Sequence, residues 1–160
     1  MELPQNDEIR VEKAQPEHAF KLAQFSNALC EETQGHSINV PRLARGKSRY
    51  LSSKYIAKYG GIYLVALNSE DEPVGWANIN YELSPIYGGL VILVSCVYVV
   101  PEYRRKGVWK QLFWHIFDYA EDKGVKAVKL EVYLDNVKAI KTYESLGMKS
   151  VDFCSYFKYC

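Results

Sequence analysis

"VYVVPEYRRKGVWKQLF", Val97 to Phe113, decides the fold. A β-branched and aromatic run reaches Pro101, consecutive cations follow at Arg104, Arg105 and Lys106, then Gly107, after which apolar residues return at helical spacing. The stretch reads as a strand, ended by proline, that feeds directly into the start of a helix. A helix's first turn carries backbone N–H groups without intrahelical acceptors and the positive end of the macrodipole, so it binds anions without dedicated side chains. Cations at that end oppose the dipole, and three in a row require a compensating anion. Gly107 suits a backbone that approaches such a ligand closely, and a diphosphate is its natural guest. A phosphate loop of the Gly-Lys-Ser/Thr type and the three-glycine dinucleotide fingerprint are both missing, which argues against ATP and NAD.

The neighbouring segments extend this reading in both directions. Downstream, Val108, Leu112, Ile116 and Ala120 recur every four residues beside Phe113 and Phe117, predicting a helix that Gly124 ends. "AVKLEVYL" alternates as a strand, "NVKAIKTYESLG" reads as a short helix closed by Gly147, and "SYFKY" supplies a last strand. Upstream, "IYLVAL", "VGWANINYEL" and "LVILVSCVYVV" predict three strands of an antiparallel meander joined by polar turns. "IRVEK" alternates as a half-buried strand, and a helix opening near Pro16 carries Phe20, Leu22, Ala23, Phe25 and Leu29. A further helix opened by Pro41 has an imperfect apolar face at Leu43, Leu51, Tyr55 and Ile56 before Gly60 and Gly61. The order is β-α-α-β-β-β-α-β-α-β, an α/β arrangement with the cationic turn at a strand-to-helix junction.

Bulk properties narrow the function. The 160 residues fit one domain, 1–160, with no repeat or low-complexity linker. Hydrophobic residues at 48% and charged residues at 24% match an average globular chain and argue against a membrane span. Twenty Lys and Arg against nineteen Asp and Glu give a net charge of +1, so no global field holds the protein on nucleic acid or an anionic membrane, and any anion site is local. Cys30, Cys96, Cys154 and Cys160 form no CxxC pair and have no histidine at metal-ligand spacing, so neither zinc nor a disulfide framework is signalled. With the acidic, polar start "MELPQNDEIR", these features predict a metal-free cytoplasmic protein.

The junction resembles the acetyl-CoA loop of the GNAT N-acetyltransferases, Gln/Arg-x-x-Gly-x-Gly/Ala after a strand, with Arg104 and Gly107 in the first two fixed positions and Trp109 in the third. "LDNVKAIKTYESLGM" is similar to the family's Asn-x-x-Ala-x-x-x-Tyr-x-x-x-Gly-Phe segment, with Met148 in the aromatic slot. The resemblance implies a mixed, mostly antiparallel sheet flanked by helices, and acetyl-CoA as cosubstrate. It implies that backbone groups near Val97 and Val99 hold the pantetheine arm. The diphosphate would lie on Arg104, Arg105, Lys106, Gly107, Val108, Trp109 and Lys110, chiefly on amides from Arg105 onward. Asn136 would contact the cosubstrate near the pantetheine, and Tyr143 would sit beside its sulfur.

Acyl transfer to an amine needs a neutral nucleophile, a polarised thioester carbonyl and a proton for the departing thiolate. Tyr143 suits the last role as general acid. Members of the family often carry acidic residues where this chain has Ser95 and Cys96, so the general base is sought elsewhere: Glu82 first, then Glu31 and Glu32. Cys96 within a β-branched strand reads as inert core rather than as a nucleophile, and His18, His36 and His115 receive no catalytic role. Trp76, Tyr81, Tyr87 and Tyr156 are candidates to line an acceptor pocket, although such strand positions also bury aromatics routinely. The expected function is transfer of acetyl to a primary amine by direct attack in a ternary complex, with a small amine or amino-acid-like acceptor. The alternatives are acetylation of protein lysines or N-termini, a CoA-binding module without turnover, and an interaction domain, with a homodimer through the tail edge as a further option.

Overall fold

A computed structural model describes residues 8–53 and 61–151. The chain divides after Leu130 into two compact units, the second beginning at Glu131.

The first unit is built on a sheet of order β1-β2-β3-β4-β5. Its strands are β1 (Arg10–Lys13), β2 (Ile62–Leu67), β3 (Pro73–Ser84), β4 (Gly89–Val99) and β5 (Val128–Leu130). The first three pairings are antiparallel and β4–β5 is parallel, so the expected meander is present as β2, β3 and β4. Among the described residues its α-helices are α1 (Ala19–Gln34), α2 (Val40–Ser52) and α3 (Val108–Asp122). Asn39 caps α2 by accepting from the Arg42 N–H at 2.9 Å, and Pro41 takes a first-turn position where its missing N–H is harmless.

Alternation along the strands divides the core into two faces. Trp76 pairs with Val65 and Tyr98, and Tyr98 meets Phe25 of α1 at 5.5 Å between ring centroids, so this face lies under α1 and α2. On the opposite face Gly75 lets α3 approach: a Cβ there would meet Val108 Cγ1 at 3.2 Å and Val99 Cγ2 at 3.3 Å. Val108, Leu112, Phe113, Ile116 and Ala120 are all buried, which is the stripe that the four-residue spacing predicts. Each such large apolar side chain taken out of water contributes about 1.5–3 kcal/mol.

Several expectations need correction. Phe20 is exposed, because α1 turns Ala19, Leu22, Ala23 and Phe25 inward. The inward positions of α2 are Ala44 and Lys47, a charged residue where the pattern offered Leu43. β5 ends at Leu130, well short of Leu134. The expected last strand and Tyr55, Ile56, Gly60, Tyr156, Cys154 and Cys160 lie outside the described residues.

The second unit, as described, contains α4 (Val137–Ser145). Asn136 caps it, its Oδ1 accepting from the Ala139 N–H at 3.2 Å, and Gly147 follows at φ +80°.

Candidate active site

β4 is irregular at one place. Asn78 pairs with Cys96 but the next residue, Ile79, pairs with Val94, leaving Ser95 as an extra residue in a β-bulge. Asn80 Nδ2 donates to Ser95 Oγ at 2.6 Å and fixes it. The ladder to β5 covers only Ile92, Leu93 and Val94, and among the described residues no strand ladder continues along that edge beyond the bulge.

The direction of the free backbone groups follows from one bond. Val100 N–H donates to the Val74 carbonyl at 3.0 Å, so Val100, Tyr98 and Cys96 turn their backbone groups toward β3. Val97 and Val99, out of phase by one residue, turn theirs away from β3, toward the uncovered edge. One of these groups has a partner in the chain: Arg104 Nε donates to the Val99 carbonyl at 2.9 Å.

After the 3-10 turn Pro101–Tyr103, the cationic loop doubles back twice. Arg105 has φ +65° and Gly107 has φ +81°, both left-handed, with one residue between them. Left-handed residues interleaved in this way turn successive N–H groups into one concavity, the geometry of an anion nest. A non-glycine residue is uncommon at such an angle and marks a conformation that the surroundings impose. The first backbone bond of α3 runs from Gln111 N–H to the Gly107 carbonyl at 3.1 Å, so the amides of Val108, Trp109 and Lys110 precede the intrahelical ladder. A Cβ at Gly107 would meet nothing within 4 Å, so the space beside it is open, and its glycine is required by the angle.

Several side chains of the loop are held by neighbours. Arg104 turns back, donating through one guanidinium nitrogen to Glu32 Oε1 and Oε2 at 2.7 and 3.0 Å, with Cζ 5.5 Å from the Tyr98 ring centre. It therefore ties α1 to the strand end as well as lying in the loop. Lys106 Nζ lies 4.9 Å from the Tyr103 ring. Trp109 packs edge-on against Phe113, one turn further into the helix, at 6.3 Å. The indole that replaces the family's small residue thus lies along α3.

The candidate acid and bases lie on different elements. Tyr143 lies on α4, and burial raises its phenol, which keeps it protonated at neutral pH. Glu82 pairs with Lys129 and lies four residues along β3 from Asn78, roughly 13 Å at the rise of a strand. Glu32 holds Arg104, while Glu31 accepts from Ser37 Oγ and Asn27 Nδ2, bonds that hold its carboxyl below the usual range. Tyr81 lies on the α3 face, its hydroxyl donating to Tyr119 at 2.6 Å, and Tyr87 is exposed near the β3–β4 turn. Cys96 is half-buried and its thiol is raised by burial, partly opposed by Lys47, a neighbour that the sequence spacing does not reveal. His36 also has a partner: its Nε2 lies 3.2 Å from Cys30 Sγ. His115 is half-buried, and that burial lowers its pKa. Among the described residues no group of three or more His, Cys, Asp or Glu is placed to hold a metal ion, and no helix is long and apolar enough to cross a membrane.

An edge of outward amides that begins at a bulge and runs into an anion nest at a helix start is suited to an extended ligand that carries an anion. The chain belongs to the GNAT acetyltransferase family, whose sequence profile, described as Acetyltransferase (GNAT) family, matches residues 26–148. It is 45% identical over 49 residues to the [ribosomal protein bS18]-alanine N-acetyltransferase of Escherichia coli K12, a match over 31% of this chain and 33% of that protein. The match therefore spans about a third of the length of that relative. Among solved structures, a "possible acetyltransferase" of Clostridium difficile 630 is 29% identical with a TM-score of 0.82, covering 96% of this chain and 99% of its own. The aminoglycoside N-acetyltransferase AAC(6')-Iy, solved in complex with CoA, shares the fold at a TM-score of 0.77 and 16% identity, with 99% of both chains covered.

Proposed function

We propose that this GNAT-family enzyme transfers acetyl from acetyl-CoA to a primary amine by direct attack in a ternary complex, as a metal-free cytoplasmic protein. The observation that carries the reading is the continuity of the amide track: outward groups at Val97 and Val99, then the left-handed loop at Arg105 and Gly107, then the open amides of α3. The pantetheine arm lies along the β4 edge, the diphosphate sits on the amides from Arg105 to Lys110, and the thioester reaches the bulge at Ser95. Asn136 contributes to the cosubstrate site beyond its capping role. The two compact units act as one GNAT domain, a reading supported by the family profile, which runs across the division at Leu130.

In this reading the acceptor amine loses its proton and attacks the thioester carbonyl, the carbon–sulfur bond breaks, and Tyr143 protonates the leaving thiolate. Glu82 takes the ammonium proton through solvent, since its separation from the bulge leaves room for water. A small amine is the first acceptor class. A protein N-terminus is the second, favoured by the similarity to the bS18-alanine enzyme. Thiol release from acetyl-CoA across a panel of small amines and N-terminal peptides, together with CoA affinity, tests the assignment. CoA binding with no thiol release for any amine would make the chain a binding module instead.

A further inference from the structure

The α1/α2 face of the sheet carries a buried cation. Lys47 is only 6% exposed, and its Nζ lies 4.6 Å from the Tyr63 ring centre and 4.4 Å from that of Trp76. Among the described residues no carboxylate pairs with it. The titratable groups that face it are Tyr63 on β2 and Cys96 on β4, with Tyr50 of its own helix stacked on Tyr63 at 5.2 Å. Burial pushes the Tyr63 phenol up to about 12 and raises both the Tyr50 phenol and the Cys96 thiol, so all three are neutral at pH 7. Buried charges are normally paired, and ring faces alone replace only part of lost hydration.

Two further groups on this face are also unfulfilled. Trp76 Nε1, a donor on a residue 2% exposed, and Asn78 Oδ1, an acceptor, are buried without a hydrogen-bond partner among the described residues. Buried polar atoms left in this state cost stability and mark places where a partner belongs. Asn78 stands directly opposite Cys96, beside the bulge, and Trp76 is two residues further along β3. That spacing is about 7 Å along a strand. Lys47 Nζ and Trp76 Nε1 supply two donors and Asn78 Oδ1 one acceptor, the complement of a small molecule that carries both a carboxylate and an amine.

We propose that Lys47, Trp76 and Asn78 form an acceptor subsite that selects an amine bearing its own carboxylate, an α- or β-amino-acid-like acceptor. The carboxylate meets Lys47 Nζ and Trp76 Nε1, and the amino group donates to Asn78 Oδ1 at the bulge. The acceptor class rests on the acetyl-transfer reading above; the subsite itself is a binding claim.

The test compares free L-amino acids with their C-terminal amides, which keep the amine and remove the charge. Wild type is expected to prefer the free acid by at least about tenfold in kcat/KM, mainly through KM, the scale of a charge-assisted hydrogen bond. Lys47→Met should bring that preference close to one while CoA affinity holds. Trp76→Phe, which keeps an aromatic side chain but removes the indole N–H, should reduce the preference severalfold and serves if Lys47→Met does not fold. Calorimetric titration of the same acid and amide pairs into the protein–CoA complex separates the two claims. Binding of the free acid that Lys47→Met abolishes supports the subsite even if no amine is acetylated. Equal binding of acid and amide, or a preference that survives Lys47→Met, overturns it.

Discussion

Replacing Gly107 separates the anion site from the fold. Its left-handed angle penalises any other residue by about 1–2 kcal/mol, but a Cβ would meet nothing within 4 Å, so the variants are expected to fold. Gly107→Gln and Gly107→Glu share that strain and nearly the same bulk, and differ by one negative charge. A carboxylate about 6 Å from a diphosphate is repelled by about 3 kcal/mol per unit charge at an effective dielectric constant near 20. Since 1.4 kcal/mol is about tenfold in Kd, Gly107→Glu should bind CoA at least about a hundredfold more weakly than Gly107→Gln. The ratio should shrink as salt rises. Calorimetry with CoA at low and high ionic strength, with thermal melts to establish folding, measures both effects. Equal CoA affinity for the two folded variants would refute the placement of the diphosphate on this loop.

Tyr143→Phe keeps the ring and removes the phenolic hydroxyl, so turnover should fall by about 10²–10⁴-fold with CoA affinity intact; activity within about threefold of wild type would make Tyr143 a packing residue. Glu82→Gln should abolish the acid limb of the pH–rate profile, and an unaltered limb would pass the role to Glu31, Glu32 or solvent. Lys47 also predicts a pH dependence of stability. Its folded pKa, lowered by burial to about 8, lies below the ordinary 10.5, so between these values the unfolded chain binds more protons and stability rises with pH. Denaturant titrations should show Lys47→Met more stable than wild type at pH 7, with the gap closing by at most about 3 kcal/mol toward pH 10. A constant gap would mean that Lys47 does not titrate in that window.

The parts of this fold that a sequence displays are those governed by neighbours in the chain. Pro101, Gly107 and the four-residue stripe from Val108 to Ala120 each state a local rule, and the structure follows them. The bulge was less legible because "LVILVSCVYVV" is apolar almost throughout and gives no phase; only the polar Ser95 interrupts it, and polarity alone does not distinguish a bulge from an exposed strand position. Lys47 was invisible for a different reason. A lysine between Gly46 and Ser48 on a helix with a weak apolar face reads as solvated, and its burial depends on Tyr63 and Trp76, which the chain delivers from other strands. Arg104 was found as a loop residue, but its bonds to Glu32 come from a partner seventy-two positions away.

The left-handed angle at Arg105 has a consequence for engineering. Glycine adopts φ +65° without penalty, so Arg105→Gly should relax the loop and make the empty protein harder to melt, while discarding a cation where an anion is expected. A selection for heat resistance alone would favour that change, and a selection for activity would oppose it. An arginine in such a conformation therefore makes this position informative in a mutational scan: abundance and activity should rank its substitutions in opposite orders.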